Sequence, residues 1–99
     1  MSKAVFFNSY KLKEGASVPD FLQAVEDLNN EYTSRQQGFV SSTLMAEGDL
    51  WADTTVFETM EDAQKCIAAS ESNASAGKFF EYLDFSTCKS NLFVVEKSF

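Results

Sequence analysis

The sequence predicts an α+β fold in which four strands form one antiparallel sheet and helices cover only one of its faces. Three observations predict it. Hydrophobic periodicity alternates between that of a strand and that of a helix in the order strand, helix, strand, strand, helix, strand. Two capping boxes mark helix starts, Ser17-Val18-Pro19-Asp20 and Thr59-Met60-Glu61-Asp62, each with a hydroxyl three residues ahead of an acid. The apolar strand Leu50 to Phe57 runs into the second box with almost no connector, so that helix must lie back over one face of its own sheet.

Taken in order, Ala-Val-Phe-Phe-Asn-Ser-Tyr-Lys-Leu at Ala4 to Leu12 reads as a strand with apolar residues on both faces, interrupted by Asn8 and Ser9. Residues 13–16 turn the chain. The first helix follows Ser17, with Pro19 in its first turn, where a missing N–H costs nothing. Phe21, Val25, Leu28 and Tyr32 recur at spacings of four, three and four, while Gln23, Glu26, Asp27 and Asn30 lie on the outer side. Gly38 fits the left-handed position just past a helix end. Residues 39–45 make a weaker strand, because Ser41-Ser42-Thr43 sits in its middle, and that polarity suits a sheet edge. Ala46-Glu47-Gly48-Asp49 closes an antiparallel hairpin with the strand Leu50 to Phe57, rich in aromatic and β-branched residues. The second helix carries Ala63, Cys66 and Ile67 on one side. Residues 69–77 are small and polar and read as a helix break or mobile connector, and residues 78–83 as a short last helix with Phe79, Phe80 and Leu83 on one face. Leu92-Phe93-Val94-Val95 is the final strand. This order is the split βαβ, or ferredoxin-like, arrangement, and without linker or repeat it makes residues 1–99 a single domain.

Composition narrows the function. Fifteen acids against eight bases give a net charge of −7, which repels phosphate backbones and anionic headgroups, so neither nucleic acid nor a membrane surface is an expected partner. No apolar run reaches the roughly 18–20 residues of a membrane span, and the N-terminus lacks a secretory pattern, so the expected location is the cytoplasm. Cys66 and Cys88 are widely spaced and the chain has no histidine, which argues against a zinc site or a Cys/His catalytic pair. Both are expected as reduced thiols, Cys66 packed as a small hydrophobe and Cys88 in a connector. Glu58, Glu61 and Asp62 cluster at a helix start, where capping and the helix dipole explain them without a metal. Ten phenylalanines, three tyrosines and a tryptophan are more apolar material than one small core obviously requires.

The run Tyr10-Lys11-Leu12-Lys13-Glu14-Gly15, a long amphipathic helix, and then Val56-Phe57-Glu58-Thr59-Met60-Glu61-Asp62-Ala63-Gln64 together resemble the antibiotic biosynthesis monooxygenase-like members of the dimeric α/β-barrel superfamily. The resemblance implies a homodimer in which two four-stranded sheets face each other as a barrel, with helices outside. It also implies oxygenation of small aromatic molecules without metal or bound cofactor. Large apolar residues on both faces of the first, third and last strands support self-association independently, since an open apolar face invites a partner. A related haem-degrading branch uses an asparagine, a tryptophan and a histidine. Asn8 matches the asparagine, but the tryptophan position falls at Cys66 and the histidine position near Ala76, so haem degradation is not expected.

If Asn8 points away from the helices, alternation puts Phe6, Tyr10 and Leu12 on the same face, lining the interior between facing sheets. The Asn8 amide suits an oxyanion-type donor, and equally a buried amide satisfied by backbone or water. Tyr10 and Tyr32 offer phenolic donors or core aromatics whose hydroxyls reach the rim. Trp51 suits a planar ligand or packing, and Phe6 a wall. The expectation is a homodimer binding a hydrophobic or aromatic small molecule, with Asn8 and Tyr10 as catalytic groups and Phe6, Trp51 and Tyr32 as substrate contacts. In that reaction a stabilised substrate carbanion meets dioxygen directly. The alternative is a non-catalytic dimeric ligand-binding or structural module, which the absence of histidine favours.

Overall fold

The computed structural model describes residues 2–99. Its elements are β1 (Ala4–Leu12), α1 (Val18–Glu31), a short 3-10 turn (Thr33–Arg35), β2 (Phe39–Glu47), β3 (Leu50–Phe57), α2 (Met60–Ser70), α3 (Ala74–Phe80) and β4 (Leu83–Val94). The strands form one antiparallel sheet in the order β2-β3-β1-β4, which is the ferredoxin-like topology. The serine-rich β2 lies at an edge.

Both expected caps form. Ser17 Oγ accepts the Asp20 N–H at 3.3 Å and Thr59 Oγ1 accepts the Asp62 N–H at 3.1 Å, each satisfying a donor that the first helical turn leaves free.

Four local expectations need correction. Residues 71–73 alone separate α2 from α3, because Asn73 Oδ1 accepts the Ala76 N–H at 3.0 Å and starts a helix through Ser75, Ala76 and Gly77. Leu83 belongs to β4 rather than to the last helix, and Cys88 lies in that strand rather than in a connector. The strand is longer than its apolar segment because its polar part sits at the other sheet edge around a bulge, where Lys11 N–H donates to Thr87 Oγ1 at 2.9 Å. Gly38 does adopt a left-handed φ of 81°, but α1 has ended seven residues earlier. Its carbonyl accepts the Glu58 N–H at 2.7 Å, next to the start of α2, and an added Cβ would lie 2.1 Å from Asp62 Oδ2.

The largest correction concerns the faces of β1. Ala4 packs with Ala63 and Cys66 of α2, and Tyr10 packs edge-on to Phe21 of α1 and Phe79 of α3, with ring centroids 6.2 and 5.8 Å apart. The row Ala4, Phe6, Asn8, Tyr10 therefore faces the helices, not a second sheet. Alternation groups these residues correctly but cannot choose their side; the aromatic rings of α1 and α3 make that choice. Val5 and Phe7 point the other way, and Val56 and Phe93, both opposite Val5, share their face.

Candidate functional site in the sheet and helix cavity

A half-enclosed cavity of about 590 Å³ lies between sheet and helices, within the range of small-molecule sites. Phe6, Asn8, Asp53 and Thr55 form its floor, and Val25, Leu28, Ile67 and Phe80 come from the helices. Exposed Glu26, Glu71 and Lys89 at its rim connect it to solvent. The two short core clusters, around Phe57 and around Phe21, flank it instead of filling it.

A hydrogen-bonded cluster of polar side chains stands on this floor, and strand pairing builds it. Asp53, Asn8 and Ser90 are direct partners across β3, β1 and β4. Asn8 Nδ2 donates to Asp53 Oδ1 at 3.0 Å, and the Tyr10 hydroxyl, one pleat along on the same face, donates to Asp53 Oδ2 at 2.7 Å. The Ser90 hydroxyl donates to Asn8 Oδ1, which fixes the amide so that its NH₂ end meets the carboxylate. One Asn8 amide hydrogen is thus engaged and the other is free for a ligand.

Burial raises the Asp53 carboxyl above its ordinary range, while the hydrogen bonds from Asn8 and Tyr10 pull it partly back. Burial, followed by the negative charge of Asp53, drives the Tyr10 hydroxyl far above its usual value, so it stays protonated and remains a donor. Burial pushes Tyr32 up to about 12, and its hydroxyl donates to the Cys66 carbonyl. Burial also raises the Cys66 thiol. The side-chain Oδ1 of Asn29, at the α1 side of the cavity, is buried without a partner.

Of the sequence candidates, Phe6, Asn8, Tyr10 and Tyr32 come together at this cavity, on the helix side. Trp51 does not. Its ring lies edge-on to Phe21 with centroids 5.0 Å apart, beside the cavity rather than in its lining. The residue that sequence reasoning missed is Asp53. Its signal was present, since aspartate is depleted in strands and this one stands in the middle of Trp-Ala-Asp-Thr-Thr-Val-Phe.

No protein-family model matches the sequence, and the search of curated proteins finds no match. Solved structures do resemble it. SnoaB, a cofactor-independent oxygenase from Streptomyces nogalater, is 21% identical over 99% of this chain and 97% of its own, with a TM-score of 0.76. A proposed antibiotic biosynthesis monooxygenase from Nitrosomonas europaea matches 95% of this chain and 90% of its own at 11% identity and a TM-score of 0.72. A dimeric ferredoxin-like protein of unknown function from Thermobifida fusca matches 95% and 92% at 7% identity and a TM-score of 0.74. At such identities the likeness speaks for architecture alone, and the chain shares with these proteins a ferredoxin-like α+β fold.

Proposed function

We propose that this protein binds a hydrophobic, aromatic small molecule in the cavity between its sheet and its helices and oxygenates it without metal or cofactor. The observation that carries this reading is the convergence of Asn8, Tyr10 and Asp53 on the floor of a mainly apolar cavity of about 590 Å³. The resemblance to a cofactor-independent oxygenase agrees with it.

In such a reaction the activated CH₂ of the ligand loses a proton and the resulting carbanion passes electrons to dioxygen. A peroxide forms at that carbon and loses water, so CH₂ and O₂ become C=O and H₂O with no outside reductant. The spare Asn8 amide hydrogen is positioned to stabilise the enolate oxygen, Phe6 and Tyr32 form walls, and Tyr10 holds the carboxylate. Removing one such donor typically lowers kcat by about 10²–10³.

The open sheet face carrying Val5, Phe7, Val56 and Phe93 supports self-association, with Phe93 53% exposed in the single chain. A homodimer with helices outside follows from covering that face.

Native mass spectrometry of protein purified from its own host tests the ligand reading. A retained aromatic molecule is expected, absent from Val25→Trp, which fills the cavity from α1. Oxygen uptake of one dioxygen per released molecule, strongly reduced in Asn8→Ala, is the expected activity. A second reading is a carrier that holds the ligand unchanged, favoured by the fact that Asn8 and Tyr10 both already donate to Asp53. Ligand retention without oxygen uptake would select it. An empty protein that binds no aromatic ketone or phenol would refute both.

A further inference from the structure

We propose that Asp53 is the proton-abstracting base of this cavity, and that its ligands are flat ketones carrying a C–H bond flanked by the carbonyl group and an aromatic ring. This rests on the cavity reading above and assigns the residue and substrate class within it.

Asp53 lies in the middle of β3, opposite Asn8 on one side and Leu44 on the other, with its carboxylate at the cavity floor. The other carboxylates at the cavity, Glu26 and Glu71, stand exposed to water at the rim. Asp53 is the one held within the cavity wall, where burying a neutral residue would cost less.

Its partners leave it free to act. Each carboxylate oxygen accepts one hydrogen bond, Oδ1 from Asn8 and Oδ2 from Tyr10, so each retains a lone pair for an incoming proton. Both donors are neutral. Among the described residues, Lys11 pairs with Asp49 and Lys65 with Glu61, so Asp53 has no salt-bridged cation holding it. Two neutral donors aim the carboxylate without neutralising it. Burial strengthens it as a base relative to a carboxylate in water.

The step balances within the site. The ligand C–H bond breaks, its proton forms an O–H bond on Asp53, and the electron pair stays on the ligand as an enolate. The negative charge then sits on the ligand oxygen, beside the free Asn8 amide hydrogen. Tyr10 contacts the carboxylate rather than the ligand and is a positioning residue. Its own hydroxyl remains protonated, so it is not itself the base.

The titratable groups lining this cavity are Tyr10, Tyr32 just past the end of α1, Cys66 of α2 and Cys88 of β4, with exposed Glu26, Glu71 and Lys89 at the rim. Tyr10, Tyr32, Cys66 and Cys88 are all shifted upward, so none of these four titrates in the acidic range.

The test separates proton abstraction from oxygen chemistry. The full-length protein is incubated under argon in D₂O with 2-tetralone, and loss of the C1 methylene signal is followed by proton NMR, with saturation transfer reporting binding. Wild type is expected to bind the ketone and accelerate exchange over buffer. Asp53→Asn is expected to bind it and to lose that acceleration by about 100-fold or more, in line with the usual contribution of a general base. Tyr10→Phe removes a donor from the carboxylate, so the acidic limb of the exchange rate is expected to move to higher pH, which a purely structural role would not produce. Binding without catalysed exchange in wild type, undiminished exchange in Asp53→Asn, or an unmoved limb in Tyr10→Phe would each overturn the assignment while leaving the cavity reading standing. Failure of wild type to bind 2-tetralone would overturn the ligand class.

Discussion

Asn8 and Asp53 stand directly opposite each other on β1 and β3, and their side chains meet at 3.0 Å. Cross-strand pairing thereby sets a neutral amide against a carboxylate in a wall that faces the helices. The Tyr10 hydroxyl takes the second oxygen of the same carboxylate. This arrangement holds a charge where apolar packing would otherwise be expected, and it has a consequence for stability.

Because burial raises the Asp53 carboxyl in the folded chain, its contribution to stability is fully present below the unfolded pKa and is lost as pH rises through the folded value. At neutral pH the ionised group is a net cost. Asp53→Asn keeps an acceptor for Asn8 and can donate to the Tyr10 oxygen, so it is expected to melt a few degrees higher than wild type at pH 7. The difference is expected to vanish towards pH ~4, near the ordinary carboxylate range. Thermal melts followed by circular dichroism across this span check it. A variant less stable than wild type at every pH would contradict the sign.

Phe21 is fully buried and its ring meets those of Tyr10, Trp51, Phe79 and Tyr82. Phe21→Ala removes the common contact of β1, β3, α3 and the turn that leads into β4. Its cost is expected at about 3–5 kcal/mol, a large share of the stability of a chain this size. Urea unfolding gives the value, and the near-ultraviolet dichroism of Trp51 is expected to weaken with it.

Gly38 and Gly48 both have positive φ, 81° and 60°, yet they differ in surroundings. An added Cβ at Gly48 meets nothing within 4 Å, whereas at Gly38 it would lie 2.1 Å from Asp62 Oδ2 and 2.5 Å from its Cγ. Gly48→Ala is expected to cost about 1 kcal/mol in backbone strain and Gly38→Ala clearly more. Adding Asp62→Ala is expected to recover part of the Gly38→Ala loss, a non-additivity that a double-mutant cycle in urea would measure. Equal costs for the two alanines would contradict the close approach.

If the open sheet face is covered by a second copy, a charge placed on it disrupts the pair. Phe7→Glu and Phe93→Glu, outside both core clusters, are expected to halve the mass seen by sedimentation equilibrium while leaving the circular dichroism spectrum unchanged. A wild-type protein of 11.0 kDa in solution would remove the dimer from the proposed function.

The sequence by itself determined the elements whose causes are local. The caps at Ser17 and Thr59 need only a hydroxyl and the backbone three residues on, and the helical stripe from Phe21 to Tyr32 needs only its spacing. The cap at Asn73 is just as local, but the small, polar residues after it lack the apolar stripe that marks a helix, so α3 was legible only in its second half. Tertiary structure decided the rest. Which side of the sheet Asn8 and Tyr10 face depends on rings from α1 and α3, far along the chain, and alternation is equally satisfied by either side. Asp53 became part of the site only through pairing with Asn8, 45 residues away. Side-chain type and spacing are written in the chain, but the meeting of Asn8, Tyr10 and Asp53 at one cavity follows from strand register and from which sheet face the helices cover.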